Sequence, residues 1–270
     1  METPPQQRTD GPLRSTLVAI GLASLGILAS QFTTLPAFLL DPALLESPAN
    51  ASIEARTVFM ILNFLGFVLA GGLYLAATDR GWSYVDLRLP TKRGWLYVAG
   101  GIGGSLLYYF AVGLLVQVLS LPAAESQVLE FIDDDQTMIL IMILIVVFFN
   151  APAEEFLFRN IVQKRLYAAF TRLQAVGVAS AIFALVHFPV YVVLAESVLA
   201  TLVSLSIVFG GSVIFGYVYA RTDNLIVPIA AHAAFNAFQF GVLYLALEFD
   251  VEGAETAPSL LGAVAGIVPL

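Results

Sequence analysis

The stretch NAPAEEFLFRN, Asn150 to Asn160, sets two adjacent carboxylates, Glu154 and Glu155, and the cation Arg159 at the end of a strongly apolar run that begins near Met138. Charges beside a bilayer-length apolar segment are costly and by default mark a functional site. The chain has only two histidines, His187 and His232, and both also lie in apolar stretches. Three pairs share one spacing: Glu155 with Arg159, Phe183 with His187, and His232 with Asn236. Residues four apart lie on one helical face, so each pair can point inward together. Glu154, one residue from Glu155, points about 100° away, which allows two carboxylates two roles. Glu155 and Arg159 can neutralise each other as an ion pair, leaving Glu154 free to face a cavity with the histidines. A glutamate beside an imidazole can orient and deprotonate water. A second imidazole with a carboxamide four residues on can supply donors to a developing oxyanion.

These residues need helices to carry them, and the composition supplies helices. Hydrophobic residues make up 59% of the 270 positions and charged ones 12%, against about 25% charged in soluble domains. Apolar runs of bilayer length recur, so the expected fold is all-α, a polytopic membrane bundle of seven helices, or eight. Spans are expected at Ser15–Leu40, Thr57–Thr78, Trp95–Ser120, from Met138 into the acidic motif, around Phe183 and His187, up to Tyr219, and over Leu225–Leu247. The first run outlasts a signal-peptide core and is followed by more spans, so it reads as a helix. Gly100 and Gly104 form a GxxxG that reads as helix packing. The expected organisation is a disordered cytoplasmic tail over 1–14, one integral-membrane domain over 15–247 with the motifs in 150–236, and an acidic and apolar tail over 248–270. The absence of cysteine excludes disulfides, thiolate metal sites and a cysteine nucleophile. No basic stripe exists, which argues against nucleic acid as a partner.

Charge asymmetry orients the helices. Arg8, Arg14, Arg80, Arg88, Lys92, Arg93, Lys164, Arg165, Arg172 and Arg221 fall in alternate loops, while the opposite loops are acidic, with Arg56 their only basic residue. The positive-inside rule then puts the N-terminus in the cytoplasm and the C-terminus outside the cell membrane. Glu154 lies about 24 Å along its helix from Met138, near the cytoplasmic side of a ~30 Å core. His232 lies about 10 Å into the last span from that side, at a matching depth. For His187 to join them, its helix must enter near Ser180, leaving Ile161–Val178 as a largely cytoplasmic hairpin that displays Lys164, Arg165 and Arg172.

Taken singly, a membrane histidine more often hydrogen-bonds a neighbouring helix, and a Glu–Arg pair is commonly a structural lock. Their joint occurrence favours a site. The series Glu154-Glu155-x-x-x-Arg159, Phe183-x-x-x-His187 and His232-x-x-x-Asn236 resembles the three motifs of the CPBP intramembrane protease family, which includes type II CAAX prenyl endopeptidases and the Abi bacteriocin-immunity proteins. NAPAEEFLFR and NLIVPIAAHAAFNA are similar to the family's style. Asn160 departs from it, since the family usually has glycine after the arginine, and is expected to affect local packing only. The resemblance implies a helical endopeptidase in which Glu154 and His187 activate water, His232 and Asn236 stabilise the oxyanion, and Glu155, Arg159 and Phe183 support the site. It implies a membrane-associated peptide or protein as substrate, with prenylated CAAX-type C-termini the family's best-known class, and the lipid bilayer as partner. The family is labelled metalloprotease, and Glu154, His187 and His232 are candidate ligands for Zn2+. The same groups account for hydrolysis without a metal, and that alternative is slightly preferred. Two rival functions share the residues: a proton-coupled membrane transporter, and a non-catalytic membrane adaptor or immunity protein. The absence of an internal repeat argues against the first.

Overall fold

The computed structural model describes residues 9–249. Among these residues every regular element is helical. The expected tail before Thr9 and the acidic and apolar segment beyond Phe249 lie outside the described residues. Eight helices organise the rest: α1 (Pro12–Leu40), α2 (Ile53–Ala77), α3 (Lys92–Val118), α4 (Gln136–Leu166), α5 (Arg172–Val186), α6 (Phe188–Val192), α7 (Val198–Thr222) and α8 (Ile226–Glu248). Short polar side chains set where they start. Ser52, Thr91, Asp135, Thr171 and Ser197 each accept a backbone N–H of the first turn of α2, α3, α4, α5 and α7, satisfying donors that the helix itself cannot.

Six of these helices, all but α5 and α6, are long and apolar enough to cross a membrane. That corrects the expectation of seven or eight spans. The expected fifth span is α5, only 15 residues, or about 22 Å at 1.5 Å per residue, short of a ~30 Å core. Pro189 ends it: proline offers no N–H to continue the hydrogen-bond ladder of α5, and Phe188 before it already starts the next helix. The chain breaks at His187 and resumes as the five-residue α6. Leu28, Leu73, Leu107, Phe148 and Leu202 stand exposed on the bundle's exterior, an apolar surface suited to lipid rather than water.

A helix–turn–helix covers Ile161–Val178, the hairpin expected there, and its first arm is deeply packed. Helix α4 runs unbroken to Leu166, and Ile161, Val162 and Leu166 are fully buried in the core shared with α1, α2 and α5. Only the short turn between Leu166 and Arg172 joins α4 to α5. The first helix starts at Pro12, inside the expected tail, and the N–H groups of Thr9 and Asp10 donate to the Ala168 carbonyl in that turn.

Close packing is set by glycines the sequence did not single out. Gly100 of the GxxxG faces open space, whereas a Cβ on Gly101 would stand 2.9 Å from the Ala231 methyl of α8. Between α1 and α2 the approach is tighter: a Cβ on Gly66 would lie 2.4 Å from backbone atoms of Ser30. Ser30 and Thr33 in turn donate to the Asn63 and Leu62 carbonyls, both at 2.7 Å. Backbone cannot yield as a side chain can, so Gly66→Val is expected to force α1 off α2 and cost about 1–3 kcal/mol. A fall in the unfolding midpoint in detergent, against no change for Gly100→Val, measures it.

The basic residues gather at one end of the bundle, around the starts of α1 and α3 and the ends of α4 and α7. Arg56, the exception at the other end, is buried. Its Nη1 donates to the Phe131 carbonyl at 2.9 Å and its Nη2 meets Asp135 at 3.4 Å. It knits the connection between α3 and α4 onto α2.

Candidate active site

Helix α4 is not a uniform α-helix. Two π-helical stretches, Val146–Asn150 and Phe156–Gln163, flank the turn Ala151–Glu155 that holds both carboxylates. Pro152 supplies the cause of the first, since its ring has no N–H and crowds the carbonyl four residues back. Each widened turn shifts the helical register, and such turns are frequent at functional sites. Here the shift aims Glu154 and Glu155 at different neighbours.

Glu155 is fully buried and meets Arg159, also fully buried, through Nε to Oε2 at 2.8 Å. The Arg159 Nη2 continues to the Ser212 hydroxyl of α7 at 3.1 Å, and its guanidinium lies 5.3 Å from the Phe183 ring. The other Glu155 oxygen receives Nδ1 of His232 at 2.9 Å. A carboxylate accepts, so Nδ1–H is the donor, and in the neutral ring Nε2 is left with its lone pair. Asn236 Nδ2 donates to that Nε2 at 3.1 Å and to Asn150 Oδ1 at 2.9 Å. Asn150 Nδ2 then donates to Glu154 Oε1 at 2.9 Å. One hydrogen-bonded chain thus runs from Ser212 through Arg159, Glu155, His232, Asn236 and Asn150 to Glu154. The free oxygen of Glu154 stands 3.9 Å from His232 Nε2.

Glu154, His187, His232 and Asn236 line a single cavity of about 80 Å³, walled otherwise by Met60, Met142, Phe183, Phe215 and other apolar groups. That volume has room for several waters. His187 hydrogen-bonds not to Glu154 but to its own helix: its Nδ1 lies 2.8 Å from the Phe183 carbonyl. A carbonyl only accepts, so Nδ1 carries the proton and Nε2 is the nitrogen available to the cavity. The Phe183 ring packs 4.5 Å from the imidazole and edge-on to Phe158 at 4.8 Å, the packing role expected of it. Because the helix stops at His187, the ring sits at a helix end on the wall of the cavity that Glu154 also lines.

The structure therefore brings Glu154, Glu155, Arg159, His232 and Asn236 into one network and places His187 on the same cavity wall. Sequence reasoning missed three contributors. Asn150 bridges Glu154 and Asn236, and its signal was there, four residues before Glu154. Ser212 and the Phe215 ring, stacked on His232 at 4.8 Å, come from α7, an apolar helix with nothing to mark them. Asn160 does more than pack. Fully buried, it donates to the Tyr219 hydroxyl at 3.2 Å, which donates to Asp86 Oδ2 at 2.6 Å. Lys164 holds the same carboxylate at 2.8 Å, so the α2–α3 connection is tied to α4 next to the site.

The candidate zinc ligands do not fit a metal centre as placed. Among the described residues no three His, Asp or Glu side chains are grouped to hold an ion. His232 is held by Glu155 and Asn236, and His187 stands apart from Glu154's hydrogen bonds.

Fold and site together define a multi-pass helical membrane protein with a buried Glu/His/Asn centre. Residues 136–238 match the family model described as type II CAAX prenyl endopeptidase Rce1-like. The resemblance carried by the three motifs thus holds over the segment that contains all of them. No curated protein and no solved structure matches the chain.

Proposed function

We propose that this protein is an intramembrane endopeptidase that hydrolyses peptide bonds of membrane-associated substrates, prenylated CAAX-type C-termini among them. The observation that carries the reading is the single chain of hydrogen bonds ending on Glu154 at a small, mostly apolar cavity with room for several waters. Glu154 accepts a proton from water there, with Nε2 of His187 helping to orient that water. The water oxygen bonds to the scissile carbonyl carbon, the carbonyl oxygen becomes an oxyanion, and the proton passes on to the leaving nitrogen as the C–N bond breaks. Asn236 donates to the oxyanion, and His232, whose Nε2 lone pair cannot donate, holds the Asn236 amide in position. The amide hydrogens of Asn236 are committed to His232 and Asn150 at rest, so substrate must take one of them. Glu155, neutralised by Arg159, holds the His232 ring in place. The basic end of the bundle faces the cytoplasm in this reading, by the positive-inside rule.

The test is cleavage by purified protein in proteoliposomes of a peptide with a prenylated C-terminal cysteine, beside the same sequence unprenylated and a transmembrane peptide. Time-dependent release of a C-terminal fragment, lost in His187→Ala, is expected. If none of the three peptides is cut, the protease reading is wrong.

A further inference from the structure

Two basic hollows lie at the same end of the bundle, and they differ in how their charge is balanced. The larger, about 510 Å³, is partly neutralised, with Asp10 and Asp223 in its wall and Asp86 beside it answering most of its cations. Lys164 meets Asp86 at 2.8 Å, Arg172 meets Asp223 at 2.5 Å, and Arg165 is clasped by Asp10. The smaller, about 210 Å³, lies between the start of α3 and the end of α7, lined by Arg88, Arg93 and Arg221 with no carboxylate in its wall. Among the described residues none of these three arginines is paired with an acidic side chain. Asp223, the nearest candidate, turns in a left-handed conformation (φ 45°) that ends α7, and its carboxylate goes to Arg172. Arg88 spends its Nη2 on the Thr222 and Asp223 carbonyls at 3.2 and 2.8 Å, fixing the hollow's floor. Arg93 lies 5.8 Å from the Tyr97 ring, and both Arg93 and Arg221 are exposed.

Three guanidinium groups without a counter-charge form a site for phosphate, which they can bind in bidentate fashion. The neighbouring surface names the source. Trp95 and Leu96, 53% and 73% exposed, lie in the first turns of α3, one of the helices apolar enough to cross a membrane. The hollow therefore sits where an apolar helix meets the headgroup layer, with tryptophan at that boundary. We propose that it is a binding site for the phosphate headgroup of an anionic phospholipid. The site uses none of the cavity residues and stands whether or not the protease reading does.

The experiment titrates the purified full chain in detergent with short-chain phosphatidylglycerol or phosphatidylcholine and counts bound lipid by native mass spectrometry. Phosphatidylglycerol is expected to bind more tightly. Arg93→Gln/Arg221→Gln is expected to weaken it about 25-fold, roughly fivefold per arginine, with phosphatidylcholine binding and the melting temperature unchanged. Arg88 is left in place because it holds the chain end of α7. Equal affinity for the two lipids, or undiminished phosphatidylglycerol binding by the double variant, overturns the site. Glycerol phosphate serves as the soluble competitor. Failure to displace the lipid supports a headgroup site, whereas displacement at matched concentration assigns the hollow to free phosphate and overturns the lipid source.

Discussion

Glu154→Gln is expected to lower peptide cleavage by about 10²–10⁴-fold, the range for loss of a positioned general base, while the protein keeps its melting temperature. The substitution is close to isosteric, and the remaining side-chain oxygen can still accept Asn150 Nδ2, now held at 2.9 Å. What it removes is the ability to take a proton from water in the cavity shared with His187. Comparing initial rates in proteoliposomes with unfolding in detergent separates chemistry from folding. A Glu154→Gln protein that cleaves at the parent rate would eliminate Glu154 as the base, and with it the mechanism proposed for this cavity.

Much of the bundle was legible because lipid imposes a simple rule on sequence: long apolar runs become helices. The count went wrong at α5 for a local reason. Pro189 stops the helix after Val186, although the apolar run continues past it. The end of α4 was not legible because the span was followed only into the acidic motif, where charges interrupt the apolar run. Glu155 and Arg159 instead neutralise each other inside the protein core, and Ile161, Val162 and Leu166 stay buried beyond them. Side-chain chemistry was more readable than packing. His187, His232 and the two carboxylates stood out because ionisable groups are rare in such a chain, and Asn236 by its spacing from His232. Ser212 and Phe215 could not stand out, since serine and phenylalanine in an apolar helix form no pattern of their own. The role of Asn160 depends on Asp86, a loop residue 74 positions away, and no local rule connects them. The π-helical turns were hidden for a related reason: Pro152 announces a disturbed turn, but not which carbonyls will be left to widen it.

The pair that neutralises the site makes the second large prediction. Arg159→Met leaves Glu155 with no exposure to solvent and only His232 to answer its charge. Removing one partner of a buried ion pair typically costs about 3–5 kcal/mol, because the survivor stays buried and uncompensated. The loss is expected to be at the upper part of that range in effect on the site, since Arg159 also anchors Ser212 at 3.1 Å and lies against the Phe183 ring. Replacing both charges, Glu155→Gln with Arg159→Met, is expected to recover much of the stability, as pairs exchanged for neutral groups of similar size often do. It should not recover cleavage, because a neutral amide holds the His232 Nδ1–H less firmly than a carboxylate does. Unfolding in mixed micelles for the four proteins of this double-mutant cycle gives the coupling directly. A destabilisation by Arg159→Met below about 1 kcal/mol would match an exposed pair rather than a buried one, and would mean that water reaches Glu155 and that the dry, hydrogen-bonded chain from Arg159 to Glu154 is not what holds the cavity together.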